Sequence, residues 1–216
     1  MHAPMDTKPR WERRKEARPQ ELLAAALDLF VERGFASTRL EDVARRAGVS
    51  KGTLYLYFEN KEELFKAVVR ENIVHIIGQA EDSIAASDES SPDLLRAILM
   101  AWWNQIGATK LAGITKLMMA ESGNFPELVQ FYNEEVIDRG NGLIASVLAR
   151  GVARGEFRPV DPLLLTPILV APVLMLMMWT HSFLPCDAGN IDPQAYMAEF
   201  IDLTLRGLRP DAHAAS

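Results

Sequence analysis

The sequence predicts an all-α fold, with an N-terminal three-helix helix-turn-helix domain followed by a larger α-helical domain. Apolar residues recur at spacings of three and four along almost the whole chain, and no run alternates with the period of two that marks a strand. Turn-forming residues separate runs of about helix length. The 216 residues are 49% hydrophobic and 24% charged, which is typical of a globular chain with room for two unequal domains.

The first predicted helix runs from Arg18 to Arg33. Gly34 directly follows it and is predicted to end it, because glycine tolerates the left-handed backbone of a helix C-terminus. Residues 1–17 contain one large apolar side chain, Trp11, and are predicted to be a flexible, basic tail. The apolar face of the helix consists of Leu23, Ala26, Leu27 and Phe30.

Two short helices are predicted next. Thr38 and Glu41 have the spacing of a capping box, in which each side chain bonds the free backbone N–H of the other residue, so the second helix is predicted to begin at Thr38. Gly48 permits a tight turn, and Ser50 caps a third, very short helix. This arrangement is a helix-turn-helix. The inner faces of the two helices are predicted to hold Leu40, Val43, Ala44, Ala47, Leu54 and Phe58.

The third helix is predicted to leave aromatic side chains outside the core. A helix turns by about 100° per residue, so the side chains between Leu54 and Phe58 cannot also face inward. The resulting surface can donate N–H and O–H groups to phosphates and present side chains to base edges in a major groove of double-stranded DNA. This surface is predicted to contain Lys51, Gly52, Thr53, Tyr55, Leu56 and Tyr57.

Beyond this motif the chain is predicted to remain helical. Asn60 and Glu63 repeat the capping box and open the next helix. The breaks "SDESSP", "SGNFP", "GEFRPVDP" and "PCDAGNIDP" separate the later helices. The predicted spans are 61–86, 92–109, 112–122, 125–154, 162–184 and 193–208.

The segment around residues 18–65 resembles the DNA-binding domain of the TetR family of transcriptional regulators. The resemblance lies in "ALDLFVERGFASTRLEDVARRAGVSKGTLYLYFENKEELF", which follows the family pattern nearly position by position. It implies a DNA-binding domain at 18–62, after the tail at 1–17, and an effector-binding and dimerisation domain at 63–210. It also implies a homodimer that sets two recognition helices in successive major grooves about 34 Å apart.

The resemblance also implies particular DNA contacts. Base contacts fall on Lys51, Gly52 and Leu56. Leu56 departs from the family pattern, and its aliphatic side chain can contact a thymine methyl but cannot hydrogen-bond to a base. Alternatives stay open: Tyr55 and Tyr57 as ordinary surface aromatics, and Lys61 as a first-turn helix residue. Phosphate contacts are implied for Thr38, Ser50, Thr53, Tyr55, Tyr57 and Lys61.

Charge is divided unevenly along the chain. Residues 1–70 carry 14 Lys and Arg against 11 Asp and Glu, whereas residues 71–216 carry 9 against 18. A basic front on an acidic body suits a polyanionic partner for the front only. The tail contributes Arg10, Arg13, Arg14, Lys15 and Arg18, which either contact DNA or only increase solubility.

The apolar run from Leu163 to Trp179 has two possible interpretations. Thr166 is its one polar side chain, and its length lies at the lower edge of a membrane span. Pro167 and Pro172 interrupt it and no basic cluster flanks it, so we expect no membrane association. A helix that is apolar on every side must be covered on every side, which favours homodimerisation.

A ligand site is predicted in the body of the chain. Methionine and aromatic side chains are frequent there, and flexible thioethers with flat rings line cavities that adapt to apolar ligands. Each of these residues alone is more often ordinary core. Kinks at Pro167 and Pro172 could open space beside their helix. The residues predicted to bind a small apolar effector are Trp102, Trp103, Asn104, Met118, Glu121, Met178 and His181.

These observations predict a ligand-responsive repressor in the cytoplasm, with no cofactor, metal or catalytic site. Cys186 cannot form an intramolecular disulfide, and the N-terminus has no apolar core of a signal peptide. One alternative is an all-helical enzyme, but no pairing of nucleophile and base stands out. The other is a metal or redox sensor built on His181, Cys186 and Asp187, whose spacing is poor.

Overall fold

A computed structural model describes residues 10–183 and 191–210. The chain divides into two compact units, Met1–Val69 and Arg70–Ser216, here called the N-terminal unit and the body. The described residues of both units are helical and include no strand, which confirms the predicted fold class. The division into a DNA-binding and an effector-binding domain remains a prediction about function.

The N-terminal unit contains four helices: α1 (Arg10–Ser37), α2 (Leu40–Arg46), α3 (Lys51–Tyr55) and α4 (Lys61–Val69). The helical backbone of α1 breaks at Gly34, where φ is 81°, so the predicted end of the first helix is confirmed. Residues 1–9 of the predicted tail lie outside the described residues. The predicted start of the first helix at Arg18 was wrong, because α1 already begins at Arg10. Arg, Glu, Lys and Ala fill this stretch, and their helix propensity outweighs its polar composition.

Three aromatic rings form the centre of the N-terminal unit. Phe30 and Phe35 come from either side of the break at Gly34, and Phe65 comes from α4. Their ring centroids lie 5.3 to 5.6 Å apart, with Phe65 edge-on to the other two rings. All three side chains are fully buried, as are Leu22, Leu29, Leu54 and Leu64, so this core is closely filled.

The body contains seven α-helices interrupted or extended by short π-helical segments. The α-helices are α5 (His75–Ala85), α6 (Ser91–Trp102), α7 (Ala112–Glu121), α8 (Pro126–Tyr132), α9 (Asp138–Ala153), α10 (Pro162–Met178) and α11 (Pro193–Gly207). The π-helical segments are Arg70–Val74, Trp103–Gly107, Asn133–Ile137 and Trp179–Phe183. The predicted helical spans are confirmed, while the changes to π geometry inside four of them were not predicted.

The core of the body lies where α6, α9, α10 and α11 pack together. Phe157 closes this core at the end of α9 and is almost fully buried. Its ring lies directly against Gly151, where an added Cβ would come within 2.1 Å of the ring. Position 151 is therefore glycine because any side chain would displace Phe157.

Helix α10 carries an exposed apolar face. Asp161 caps the helix by accepting the backbone N–H groups of Leu163 and Leu164 at 2.9 and 3.3 Å. The segment Pro162–Phe183 is long and apolar enough to cross a membrane by length and composition, and 28% of its most apolar stretch is buried. The core helix of a soluble protein passes the same test. The exposed face follows helical spacing and consists of Leu164, Ile168, Ala171 and Met175.

Candidate DNA-binding surface and ligand cavity

The turn before α3 has the geometry that the sequence predicts. Gly48 adopts φ of 68°, a left-handed conformation that glycine reaches without a steric penalty. Ser50 then caps α3 by accepting the backbone N–H of Thr53 at 3.1 Å, and the two hydroxyls lie 2.8 Å apart. The direction of α3 is therefore set by short-range bonds between residues 48 and 53.

Three consecutive large side chains project from the end of α3 into solvent. Leu56 is 83% exposed, Tyr55 45% and Tyr57 37%, whereas Leu54 is fully buried. Phe58 is half-buried. The predicted outward direction of residues 55 to 57 is confirmed.

The structure contradicts both predictions for Thr38. Its side chain is 1% exposed, and its hydroxyl donates to the carbonyls of Gly34 at 2.7 Å and Leu29 at 3.2 Å. It is therefore unavailable to phosphate. It also forms no capping box with Glu41, since Arg39 occupies the N-cap of α2 without a side-chain bond. Thr38 instead ties the break in α1 to its preceding turns.

Lys61 is also engaged within the N-terminal unit. Its ammonium donates to the carbonyls of Phe35 at 2.8 Å and Ala36 at 3.2 Å and lies 4.4 Å from the centroid of the Phe35 ring. These acceptors compete with phosphate for its N–H groups. Nearby, Asn60 accepts the backbone N–H of Glu63 at 2.8 Å, as predicted, but the Glu63 carboxylate bonds Lys66 rather than completing a capping box.

Basic side chains on this unit have acidic neighbours. Lys51 pairs with Glu41 and lies 5.7 Å from the Tyr55 ring centroid. The bond from Lys51 lowers the pKa of the Glu41 carboxyl, and the same bond raises the pKa of Lys51. Arg46 makes a two-pronged contact with Glu32 at 2.7 and 2.8 Å. These pairs are exposed, so a phosphate can compete for either cation.

The body contains a cavity of about 960 Å³ that is partly open to solvent. Its wall is contributed by six helices, α5 to α10, and by three of the π-helical segments, and most of the lining side chains are apolar. The volume lies at the upper end of the range of about 300–1,000 Å³ that drug-sized ligands occupy. The apolar wall includes Ile76, Ile98, Trp102, Met118, Val170 and Leu174.

Two of the seven predicted ligand residues, Trp102 and Met118, line this cavity. The other five lie outside its wall. Trp103 is 1% exposed in the core of the body, Asn104 is exposed, and Met178 packs beside that core. Glu121 accepts a bond from Asn124 at 2.8 Å, and His181 donates Nε2–H to the carbonyl of Gly107 at 2.7 Å.

Sequence reasoning missed most of the polar residues on the wall. They come from three α-helices and two π-helical segments and have no shared motif, so no local signal separates them from ordinary surface residues. Pro167 lines the cavity and Pro172 does not, and α10 runs unbroken through both, so an opening caused by proline kinks stays a prediction. The polar wall residues include Gln79, Ser83, Gln105, Thr115, Tyr132 and Asn133.

Thr115 and Tyr132 form a buried polar pair on the cavity wall. Their hydroxyl oxygens lie 2.9 Å apart, and the side chains are 8% and 5% exposed. Burial raises the pKa of Tyr132 to about 12, and the bond with Thr115 opposes this shift. The phenol is therefore neutral at physiological pH and keeps its proton.

The described residues contain no group of three or more side chains suited to hold a metal. Cys186 and Asp187, which belong to the alternative of a metal or redox sensor, lie outside the described residues. His181, the third, is bonded to the Gly107 carbonyl.

Family comparisons agree with both units. Residues 22–68 match the model for bacterial regulatory proteins of the tetR family, and residues 90–202 match the tetracyclin repressor-like C-terminal domain. The chain is 28% identical over 146 residues to the fatty acid metabolism regulator protein of Bacillus subtilis, covering 67% of this chain and 74% of that protein. It is 28% identical over 196 residues to the transcriptional repressor KstR2 of Rhodococcus jostii, covering 90% and 92%.

A solved structure shows the same fold. The regulator FadR from Bacillus subtilis, in complex with stearoyl-CoA, superposes with a TM-score of 0.74 at 22% identity, covering 88% of this chain and 99% of that one. The similarity is in the arrangement of helices, and at this identity it does not extend to the ligand.

Proposed function

The chain belongs to the TetR family of bacterial regulatory proteins and is a ligand-responsive, DNA-binding transcriptional regulator, and we propose that it represses genes until a small, largely apolar effector enters the cavity of the body. The observation that carries this proposal is the large apolar cavity in the same chain as an exposed recognition helix. We further propose that it works in the cytoplasm without catalytic activity, as the regulatory names of its relatives support.

The proposed operator contacts centre on α3 and the two residues after it. Tyr55 and Tyr57 offer hydroxyls to phosphates, while Leu56 offers an apolar contact to a thymine methyl. Ser50, Lys51, Gly52 and Thr53 lie at the start of the same helix. Thr38 and Lys61 are left out of this set because their polar groups bond within the N-terminal unit.

Fluorescence anisotropy with fragments of the promoter upstream of its own gene tests this surface. Tyr57→Phe removes one hydroxyl and is expected to weaken all sequences alike by several-fold, since one hydrogen bond contributes about 1 kcal/mol. Leu56→Ala is expected to relax preference at one base-pair position. Val31→Ala, an exposed change on α1, is the control and leaves affinity unchanged. If all three variants bind the promoter fragments with the same affinity and the same sequence preference, α3 and the two residues after it are not the DNA-binding surface.

The effector is proposed to bind between α5 and α10, against Trp102 and Met118. To convert a repressor from mostly bound to mostly free, it must favour the released form by about 5 kcal/mol. Ile98→Trp adds bulk on the wall and is expected to abolish induction while operator affinity persists. Ala153→Trp adds the same ring at an exposed position outside the wall and keeps induction. Normal induction of Ile98→Trp rules the cavity out.

A second copy of the chain is proposed to cover the exposed face of α10. Four apolar side chains on one helical stripe lose contact with water in such an interface, which stabilises it in proportion to the buried area. Ile168→Asp places a charge on that stripe and is expected to give monomers with weak operator binding, whereas Ala153→Asp leaves a dimer. Light scattering of the purified proteins distinguishes the two states, and a monomeric wild type contradicts the proposal.

A further inference from the structure

We propose that the cavity selects a large, mostly apolar, uncharged molecule carrying a hydrogen-bond-accepting oxygen, such as an ester, a ketone or a lactone, and that the hydroxyl pair of Thr115 and Tyr132 recognises that oxygen. The inference rests on the proposed function, because it specifies the chemistry of the effector in the same cavity.

The hydroxyl pair has one proton more than its own bond uses. Thr115 and Tyr132 each carry one O–H donor, and the bond between them at 2.9 Å uses one of the two protons. Among the described residues neither hydroxyl has another hydrogen-bond partner. A buried O–H group without an acceptor is unfavourable. A ligand oxygen that accepts the second proton removes this penalty and so increases the affinity of the ligand.

The charge of the wall disfavours an anionic ligand. Glu89 is the one charged side chain among the wall residues that the structure describes, and it is negative. A carboxylate or phosphate inside the cavity lacks a basic partner, and an unpaired buried charge is strongly unfavourable.

Arg139 and Arg150 lie near the wall and bond other residues through their terminal N–H groups. Arg150 donates to the carbonyls of Ser87 at 3.0 Å and Glu89 at 2.8 Å. Arg139 makes a two-pronged contact with Glu81 at 3.1 and 2.5 Å. The Nε–H of Arg150 has no hydrogen-bond partner within the described part of the chain, but it is buried, so an anionic head group in the cavity reaches an arginine only if these arrangements change.

Three matched probes test the proposal by calorimetry at neutral pH: methyl myristate, myristate and pentadecane. The wild type is expected to bind the ester about tenfold more tightly than the alkane, the ratio that one hydrogen bond to a buried donor supports. Myristate is expected to bind more weakly than its ester. Equal or tighter binding of myristate overturns the uncharged head group, and failure of the ester to bind overturns the whole inference.

The double variant Thr115→Val, Tyr132→Phe tests the hydroxyl pair. Both partners are replaced by apolar groups of similar shape, so the fold is expected to survive. The preference for ester over alkane is expected to fall to about one, while each single variant keeps one free proton and much of the preference. The matched control Thr166→Val, Tyr196→Phe removes two hydroxyls bonded to Pro162 and Pro172 outside the wall and retains the preference. An unchanged preference in the cavity double variant overturns the assignment.

A spectroscopic measurement decides the point if the double variant does not fold. The carbonyl stretch of methyl myristate bound to the wild type is expected at lower frequency than in hydrocarbon solvent, because a hydrogen bond weakens the C=O bond; an unshifted band overturns the proposal. Fluorescence anisotropy with operator DNA separates the proposal about ligand selectivity from the proposal about repression. If the ester binds with the predicted preference but does not release DNA, the selectivity stands and the repressor proposal fails.

Discussion

The N-terminal unit and the body are filled to different degrees. In the N-terminal unit three phenylalanine rings meet within 5.6 Å and leave the centre closely packed. In the body the helices surround a cavity of about 960 Å³. A surface that must match a DNA groove requires a fixed backbone, whereas a sensor must keep an interior that a ligand can occupy. The closely packed unit therefore carries the proposed DNA-binding surface, and the hollow body carries the proposed effector site.

The helices are also less regular in the body than in the N-terminal unit. All four π-helical segments of the described residues lie in the body, and three of them contribute to the cavity wall, through Ile73, Gln105 and Asn133 among others. A π-helical turn spaces its side chains differently from an α-helical turn and is frequent at functional sites. The irregular turns therefore coincide with the hollow part of the molecule.

Truncation in the filled core is expected to give the largest effect. Phe65→Ala removes a fully buried ring and leaves a void, so it should lower the free energy of unfolding of the N-terminal unit by about 3–5 kcal/mol. Met119 lies on the cavity wall with its side chain half exposed. Met119→Ala should therefore lower the free energy of unfolding of the body by less than about 1 kcal/mol. Hydrogen exchange followed by segment measures each unit separately. Equal losses would remove the contrast in packing.

A matched pair of glycines within α9 sharpens the contrast inside the body. Gly151→Ala forces a Cβ against Phe157 and should destabilise the body by about 1–3 kcal/mol, as overpacking does. Gly140→Ala, on the cavity wall with no atom within 4 Å of the new Cβ, should instead stabilise α9 by up to about 1 kcal/mol through helix propensity. Denaturation midpoints followed by tryptophan fluorescence provide the measurement. The same sign for both changes contradicts the packing described here.

A variant of Lys61 tests whether its ammonium stabilises the N-terminal unit or contacts DNA. Lys61→Met keeps the aliphatic stem and removes two charged hydrogen bonds, so it should destabilise the N-terminal unit by about 1–3 kcal/mol. The slope of operator affinity against salt should stay unchanged, because the ammonium is engaged with carbonyls. A slope reduced by about one unit would instead indicate a phosphate contact.

The pH dependence of the body is expected to be the smallest effect. The bond from Arg139 lowers the pKa of the Glu81 carboxyl. A lowered folded-state pKa contributes stability above the ordinary carboxyl pKa, and this contribution is lost as the pH falls through the folded value. Because the pair is partly exposed, the loss should stay below about 1 kcal/mol. Denaturation of wild type and Glu81→Gln below pH 5 should therefore converge, and a constant difference contradicts this.

The sequence by itself determined the α-helical class, the turn at Gly48, the cap at Ser50 and the outward direction of Tyr55, Leu56 and Tyr57. Each depends on residues within a few positions of one another, because capping bonds and the helical repeat act locally. The match of residues 22–68 to the tetR family model has the same basis, since a motif of fixed spacing can be identified without its tertiary contacts.

Only the tertiary structure decided what surrounds Thr38, Lys61 and the predicted ligand residues. Lys61 bonds carbonyls about 25 residues away, and Thr38 bonds carbonyls of the preceding helix, so spacing alone could not identify either partner. Trp102 and Trp103 are adjacent, yet the first lines the cavity and the second lies in the core. A helix turns neighbouring side chains apart by about 100°, and the packing of the other helices decides which of them faces the empty space.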